Sequence, residues 1–452
     1  MRNPQLHKAF KEYFKAALDY FNSELKGPED LPTTVRERFE VTEEGGVSQF
    51  SATEVEWWRF VFQNMENLKQ MDVYKRAIHA MKEDREVAKH LDNLVGTEEF
   101  RARIDADACL HSLLAELLRK QQDLSFQVSV FDRIYENLED YFYQDTLEYR
   151  FLALLDNFQM ENERIELSPK FSIIKIPKQE KEEMLSLSWQ FGPFCSYQMM
   201  PSDNYAFEFY VEVPKVIGDT SSTHKEENMP SWVADKQFNE ARSALRLFKN
   251  GAVSLVDIYM KPARWEPSGG ISIAHSAAPR VSGILYKLPK EELPIFLKFW
   301  HFFQGVRKRK QNRAEVALRR FNFGYERVRP EDKLIDWLIG FEALLLKKDE
   351  GHQELEHRLA LRGSALLGKS ADEKKRIFRE LKTAYKERSS IVHGGPVKTA
   401  VKINTEQVQF AEFVNRVEEH LRSAIKEFLM QAGTMSESRI IDNLDEKIIG
   451  GP

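Results

Sequence analysis

Cysteine is nearly absent: Cys109 and Cys195 are the two in 452 residues. They lie far apart in sequence and make neither a disulfide framework nor a metal motif, so a reducing cytoplasm is the expected setting. Long apolar runs are also lacking. No stretch approaches the ~20 apolar residues needed to span a membrane. The nearest candidates, Leu293 to Phe303 and Leu334 to Leu346, are interrupted by charge and read as buried helices. Met1-Arg2-Asn3-Pro4 begins no apolar signal segment. No paired carboxylate–histidine motif occurs, and the N-terminal region has no Gly-rich phosphate loop, so neither a metal nor a cofactor is expected. An excess of positive charge is missing as well. The 66 Lys and Arg stand against 71 Asp and Glu, a formal net charge of −5. Any nucleic-acid site must therefore be a local patch.

What is present fits a soluble globular chain: 42% apolar and 30% charged residues. The length allows roughly three domains. Residues 1–160 read as an almost wholly helical N-terminal domain. Phe10, Tyr13-Phe14, Ala17-Leu18 and Phe21 form one amphipathic stripe. Trp57, Trp58, Phe60, Val61 and Phe62 form a dense aromatic group, read as core or a helix–helix contact. Helices are expected over Ile104 to Leu118 and Val128 to Leu155. Residues 161–290 look like a small α/β module. Ile165 to Leu167, Phe171 to Ile176, Tyr205 to Val213 and Val253 to Met260 read as strands, and Phe238 to Phe248 as a helix. Its ligand is not legible. His79, His90 and His111 share no ligand spacing and read as structural or surface residues, while His224 and His275 sit in loops as weak candidates.

The lead-in to the C-terminal region is basic. From Arg307 to Arg329 nine basic residues face two acidic ones, with Phe321, Phe323 and Tyr325 interleaved. Arg307, Lys308, Arg309, Lys310 and Arg313 are the candidate RNA contacts, because such a cluster can follow a phosphate backbone. Its bland alternative is a solvated helix face paired with acidic neighbours. Residues 291–433 read as a helical bundle. Four helices are expected near Asp332–Leu346, Glu354–Leu367, Ala371–His393 and Thr405–Ala432, with short connections that favour antiparallel neighbours. Asn404 and Gln407 look like the cap of the last. Residues 434–452 read as a loosely ordered tail. The fold class expected is thus mainly α, α+β overall.

Two charges break the apolar stripes of these helices: Glu342 among Leu338, Phe341 and Leu345, and Arg362 among Leu355, Leu359 and Leu366. A buried charge needs a partner, so Glu342 is expected to pair with Arg362 or Arg388.

The third helix ends in Tyr385-Lys386-Glu387-Arg388-Ser389-Ser390-Ile391-Val392-His393-Gly394-Gly395-Pro396. Ser370 and Glu373 open it as a capping box, and the Gly-Gly-Pro run closes it. Histidine titrates near neutrality and can carry a proton, while the arginine fork matches phosphate. Arg388 and His393 could together cleave a phosphodiester. Five residues turn a helix by about 140°, so the two side chains diverge unless the helix ends or a second copy contributes. Ser389 and Tyr385 lie one turn apart, where they could bond substrate or merely pack.

The Arg388-to-His393 spacing resembles the Arg–His motif of HEPN ribonucleases. Tyr385, Arg388-Ser389 and Ile391 to Gly394 look most like the Apea-like HEPN group of bacterial defence proteins. The similarity runs from Arg329 to Gln431 and includes Asp332 to Ile335, Phe341 to Leu345 and the Arg358 to Leu367 helix. The resemblance implies a four-helix bundle, a homodimer through the motif helix, and metal-independent cleavage of RNA. Some HEPN toxins carry a tyrosine two residues after the histidine; Gly395 stands there, so regulation by AMPylation at that position is not expected. The functional expectation is an endoribonuclease effector in anti-phage defence or stress, with residues 1–290 sensing a trigger or a regulatory partner. The alternative is a non-catalytic HEPN-like dimerisation or nucleotide- or RNA-binding regulator.

Overall fold

The expected arrangement of helical N-terminal region, small α/β module and terminal four-helix bundle does not hold in the computed structural model of the protein. Among the described residues 59% are helical and 21% lie in strands, including a six-stranded antiparallel sheet, and the fold is mixed α+β. The structure describes residues 2–42, 46–190, 204–218, 225–267, 270–275, 283–307, 312–347 and 354–450. They divide into two units, each gathered from separate stretches of chain. The first holds Met1–Leu154, Arg164–Phe238 and Asp257–His275; the second holds Leu155–Glu163, Asn239–Val256 and Ser276–Pro452.

The first unit begins with the Pro4–Glu24 helix. Its buried residues are those of the expected stripe together with Leu6, and the Asn3 side chain caps it by accepting from the Gln5 and Leu6 amides. Strands β1 (Thr33–Val41) and β2 (Val47–Val55) then form an antiparallel hairpin that the helical reading of this region missed. The aromatic group splits by side. Trp57, Phe60 and Val61 are buried on the Trp57–Gln63 helix, while Trp58 and Phe62 stack on each other in solvent. Short strands β3 (Leu94–Gly96) and β4 (Arg101–Arg103) follow, then helices Ala106–Gln121 and Val128–Tyr143.

Strand β5 (Thr146–Asp156) is the main correction, because a helix was expected to run through Leu155. The helix stops at Tyr143, and Gln144 is already extended. From there Leu147, Tyr149 and Phe151 alternate inward against Glu148 and Arg150, a period of two rather than 3.6. Beyond Phe151 the strand is buried on both faces, and such a continuous apolar run looks the same in a helix and a central strand. After β6 (Phe158–Met160), strands β7 (Arg164–Ser168), β8 (Phe171–Lys175), β9 (Tyr205–Pro214) and β10 (Val216–Ile217) follow. They are succeeded by β11 (Ser254–Pro262) and β12 (Ser272–His275). The large sheet runs β12-β11-β5-β9-β8-β7, and β10-β3-β4 make a second, smaller one. Phe238, from the Pro230–Phe248 helix, stacks on Phe207 of β9 with ring centroids 6.0 Å apart. Glu208 is buried in β9 because Arg150 and Arg164 both bond it at 2.7 Å.

In the second unit β6 pairs in parallel with β13 (Tyr286–Leu288). Helices Leu293–Arg307, Asn312–Glu326, Pro330–Leu345, Leu355–Leu367 and Ala371–Val392 follow. The four expected helices exist, but they do not make a separate bundle. Pro330–Leu345 packs on Asn312–Glu326 as well as on Phe410–Ala432 and the motif helix. That approach is close because position 324 is glycine: a Cβ there would lie 2.0 Å from Trp337 Nε1. A hairpin of β14 (Ala400–Ile403) and β15 (Glu406–Gln409) replaces the expected start of the last helix. Asn404 is no cap; it turns the hairpin in the left-handed region, with φ 57°. The tail is also corrected, since Glu437–Ile449 forms a helix that buries Ile440, Ile441 and Leu444 and is capped by Ser436.

The core of this unit carries a polar network. Arg246 is fully buried and bonds Val253 O at 2.9 Å and Asn322 Oδ1 at 3.0 Å, with its guanidinium 4.5 Å from the Tyr325 ring centroid. Arg422 bonds Arg246 O at 2.9 Å, the Tyr325 hydroxyl, and Glu418.

Candidate active site

The motif helix forms for the local reasons its sequence suggests. Ser370 Oγ accepts from the Glu373 amide at 3.2 Å, and Glu373 reaches back to the Lys369 amide at 2.9 Å. Ile377, Leu381 and Ala384 are buried, with two carboxylates among them. Glu380 is bonded by His420 Nε2 at 2.6 Å, and Glu387 by Lys398 Nζ at 2.6 Å. At the far end Gly394 adopts φ 81°, and the Gly395 amide returns to Ser390 O at 2.8 Å.

Arg388 lies half-buried on this helix. Its Nη1 is 3.5 Å from Glu342 Oε1 on the Pro330–Leu345 helix, and its guanidinium carbon is 5.9 Å from the Tyr385 ring centroid. The separation makes this an ion pair with loose geometry rather than a tight hydrogen bond. Arg388 Nε makes no hydrogen bond among the described residues. Burial, and then the neighbouring Glu342 carboxylate, raise the Tyr385 hydroxyl above its ordinary pKa. Of the two partners expected for Glu342, the structure selects Arg388.

His393 is exposed at the C-cap, and its amide is fixed to Ser389 O at 3.1 Å. The structure brings Arg388, Tyr385 and Glu342 together, and among the described residues no hydrogen bond or ion pair joins the His393 imidazole to them. Ser389 is half-buried between the two groups in sequence.

Arg362 takes another partner, which the sequence reading missed. It bonds Asp445 at 2.7 Å and 2.9 Å and Leu345 O at 2.9 Å. Lys347 joins the same cluster through Asp442 and Asp445. The available signal was Asp442 and Asp445 set at helical spacing around Ile441 and Leu444. Among the RNA candidates, Arg307 pairs with Glu315 at 3.2 Å. Arg313 donates to the Ala343 and Leu346 carbonyls, closing the C-terminal end of the Pro330–Leu345 helix. Farther along the basic stretch, Arg320 and Arg327 both bond Asp336. Lys308, Arg309 and Lys310 lie outside the described residues.

Among the described residues, no group of three or more His, Cys, Asp or Glu side chains is placed to hold a metal ion, and no helix is long and apolar enough to cross a membrane. Fold and site together define a mixed α+β protein whose second unit presents a carboxylate-paired arginine and an exposed histidine on one helix. Comparison with protein-family models, curated proteins and solved structures finds no match.

Proposed function

We propose that the protein is a metal-independent endoribonuclease of the HEPN type, acting as an effector in bacterial anti-phage defence or stress. The observation that carries this reading is the pairing of Arg388 with Glu342 five residues before an exposed His393 at the end of the same helix. Arg388 binds the scissile phosphate and stabilises charge on the phosphorane. Glu342 and Tyr385 hold the guanidinium. The ribose 2′-hydroxyl attacks phosphorus, the P–O5′ bond breaks, and His393 carries the proton between the two oxygens. The products are a 2′,3′-cyclic phosphate and a 5′-hydroxyl. Because five residues turn a helix by about 140°, Arg388 and His393 diverge within one chain, and the site is completed by a second copy docked through the motif helix. The setting is the cytoplasm, and a regulatory or trigger partner acts through the region before residue 290.

The same separation supports the second reading, a non-catalytic dimerisation or nucleotide- or RNA-binding regulator. RNA cleavage in EDTA decides between them. Wild type is compared with Arg388→Ala and His393→Ala, and product ends are analysed. Cleavage by wild type alone, with cyclic phosphate ends, is expected. Equal cleavage by all three proteins defeats the assignment of these residues. A monomeric solution mass with no cleavage favours the nucleotide- or RNA-binding regulator.

A further inference from the structure

The first unit contains a cavity of about 340 Å³ where the free edge of β4 faces the β11–β12 end of the large sheet. It lies at the small end of the range of ligand pockets. Phe100, Met260 and Ile271 supply apolar wall, Arg101 and Tyr149 polar wall, and Glu266 reaches in from the β11–β12 connection. Phe100 and Ile271 are 49% and 39% exposed, so the mouth is open and apolar.

The charges in this cavity do not cancel. Arg101 is fixed and neutralised, bonding Glu98 at 3.2 Å, Thr97 O at 3.2 Å and Gly218 O at 3.3 Å. Glu266 receives one hydrogen bond, from the Tyr149 hydroxyl at 3.2 Å, and forms no ion pair among the described residues. Lys215 is the cation whose field it feels, but that ammonium bonds Tyr141 O at 2.5 Å instead. Tyr141 also feels its field, and Asp140, Glu148 and Arg264 line an adjoining cleft with it, where Arg264 bonds Asp140 at 3.0 Å and Lys170 bonds Glu148 at 3.0 Å. A lone carboxylate held by a phenol inside an apolar mouth repels anions and selects a cation with a greasy body.

We propose that this cavity binds a small monovalent organic cation, an ammonium on an aromatic or aliphatic body, with Glu266 as its counter-ion. The site is independent of the ribonuclease reading. Burial pushes the Glu266 carboxyl up to about 7. An ammonium therefore has to displace a proton from the empty site, and its affinity falls as pH drops through that value.

The test is calorimetric titration of the full chain with 2-phenylethylamine, and with uncharged 2-phenylethanol as its near-isostere. Binding of the amine and not the alcohol is expected, about tenfold weaker at pH 6 than at pH 8. Glu266→Gln should weaken it by about tenfold or more, the size of a lost charge-assisted hydrogen bond. Phe100→Ala, at an exposed position that leaves folding intact, should weaken it severalfold. Equal binding of the alcohol, undiminished binding by folded Glu266→Gln, or no heat from the amine at millimolar concentration overturns the proposal.

Discussion

Removing Asp445 should loosen the last helix from the second unit. Arg362 is 5% exposed, and its guanidinium is shared between the Asp445 carboxylate and Leu345 O. Breaking a fully buried ion pair costs about 3–5 kcal/mol. Asp445 is 30% exposed, so water would solvate part of the guanidinium edge it vacates. The expected cost of Asp445→Ala is therefore about 2–3 kcal/mol. Arg362→Met removes the charge itself and should cost about 1–2 kcal/mol, mostly the lost bond to Leu345 O. The double variant should then cost little more than Arg362→Met alone, a coupling of about 2 kcal/mol. The pH dependence adds a second check. Burial raises the Asp445 carboxyl, but the bonds from Arg362 and Lys347 outweigh it and hold the group below its ordinary value. A depressed acid stabilises the fold above its unfolded pKa, and that stability is lost as pH falls through the folded one. The Asp445→Ala penalty should accordingly shrink in acid. Urea denaturation measures the energies, and hydrogen exchange at Glu437–Ile449 locates them, with faster exchange expected there first. Single-variant costs that simply add in the double variant would refute the pairing as an energetic unit.

Three further outcomes are expected. Gly324→Ala should destabilise by about 3 kcal/mol or more, since its Cβ meets the Trp337 indole and Trp337 is anchored to Phe321 O at 3.1 Å; a wild-type melting temperature would show that these helices separate freely. Glu266 has a folded pKa of about 7 against an ordinary 4.5, so stability should fall as pH rises between those values. Glu266→Gln should flatten that slope and gain about 1–2 kcal/mol at pH 8 after allowing for partial solvation, and an unchanged slope counts against the burial argument. Burial, followed by the field of Lys215, lowers the His90 imidazole to about 4, so it stays neutral while an unfolded histidine charges. Stability from this group should be lost as pH falls from about 6.5 towards 4; an NMR titration midpoint near 6.5 would contradict it.

The strongly periodic segments were legible in the sequence. The Pro4–Glu24 stripe, the Ser370–Glu373 capping box and the Gly394 stop each rest on neighbours within a turn or two, and all three appear in the structure. The strands β7 and β9, whose sequences alternate, were legible for the same reason. What failed was long-range. Thr146–Asp156 is strand because β9 and β11 flank it, and its apolar half carries no period to betray that. At the candidate site the Arg388–Glu342 pair was one of two readable options, because each side chain interrupts an apolar stripe. The choice depended on Asp445, which lies in a segment whose acidic composition suggested a solvated tail. Glu266 was unreadable: a lone carboxylate in a Pro- and Gly-containing loop acquires meaning only when two sheet edges enclose it.

The three-piece make-up of the second unit has a consequence for synthesis on the ribosome. Arg246 emerges well before Asn322, Tyr325 and Arg422, the residues that surround it. Until they arrive, a guanidinium meant for a dry interior waits in water, and the core of the unit has no centre to close on. Vectorial folding of this unit is therefore held open until Arg422 has emerged. By the same reasoning, a fragment begun at residue 291 lacks the stretches 155–163 and 239–256, and it would leave Tyr325 and Arg422 facing an empty socket.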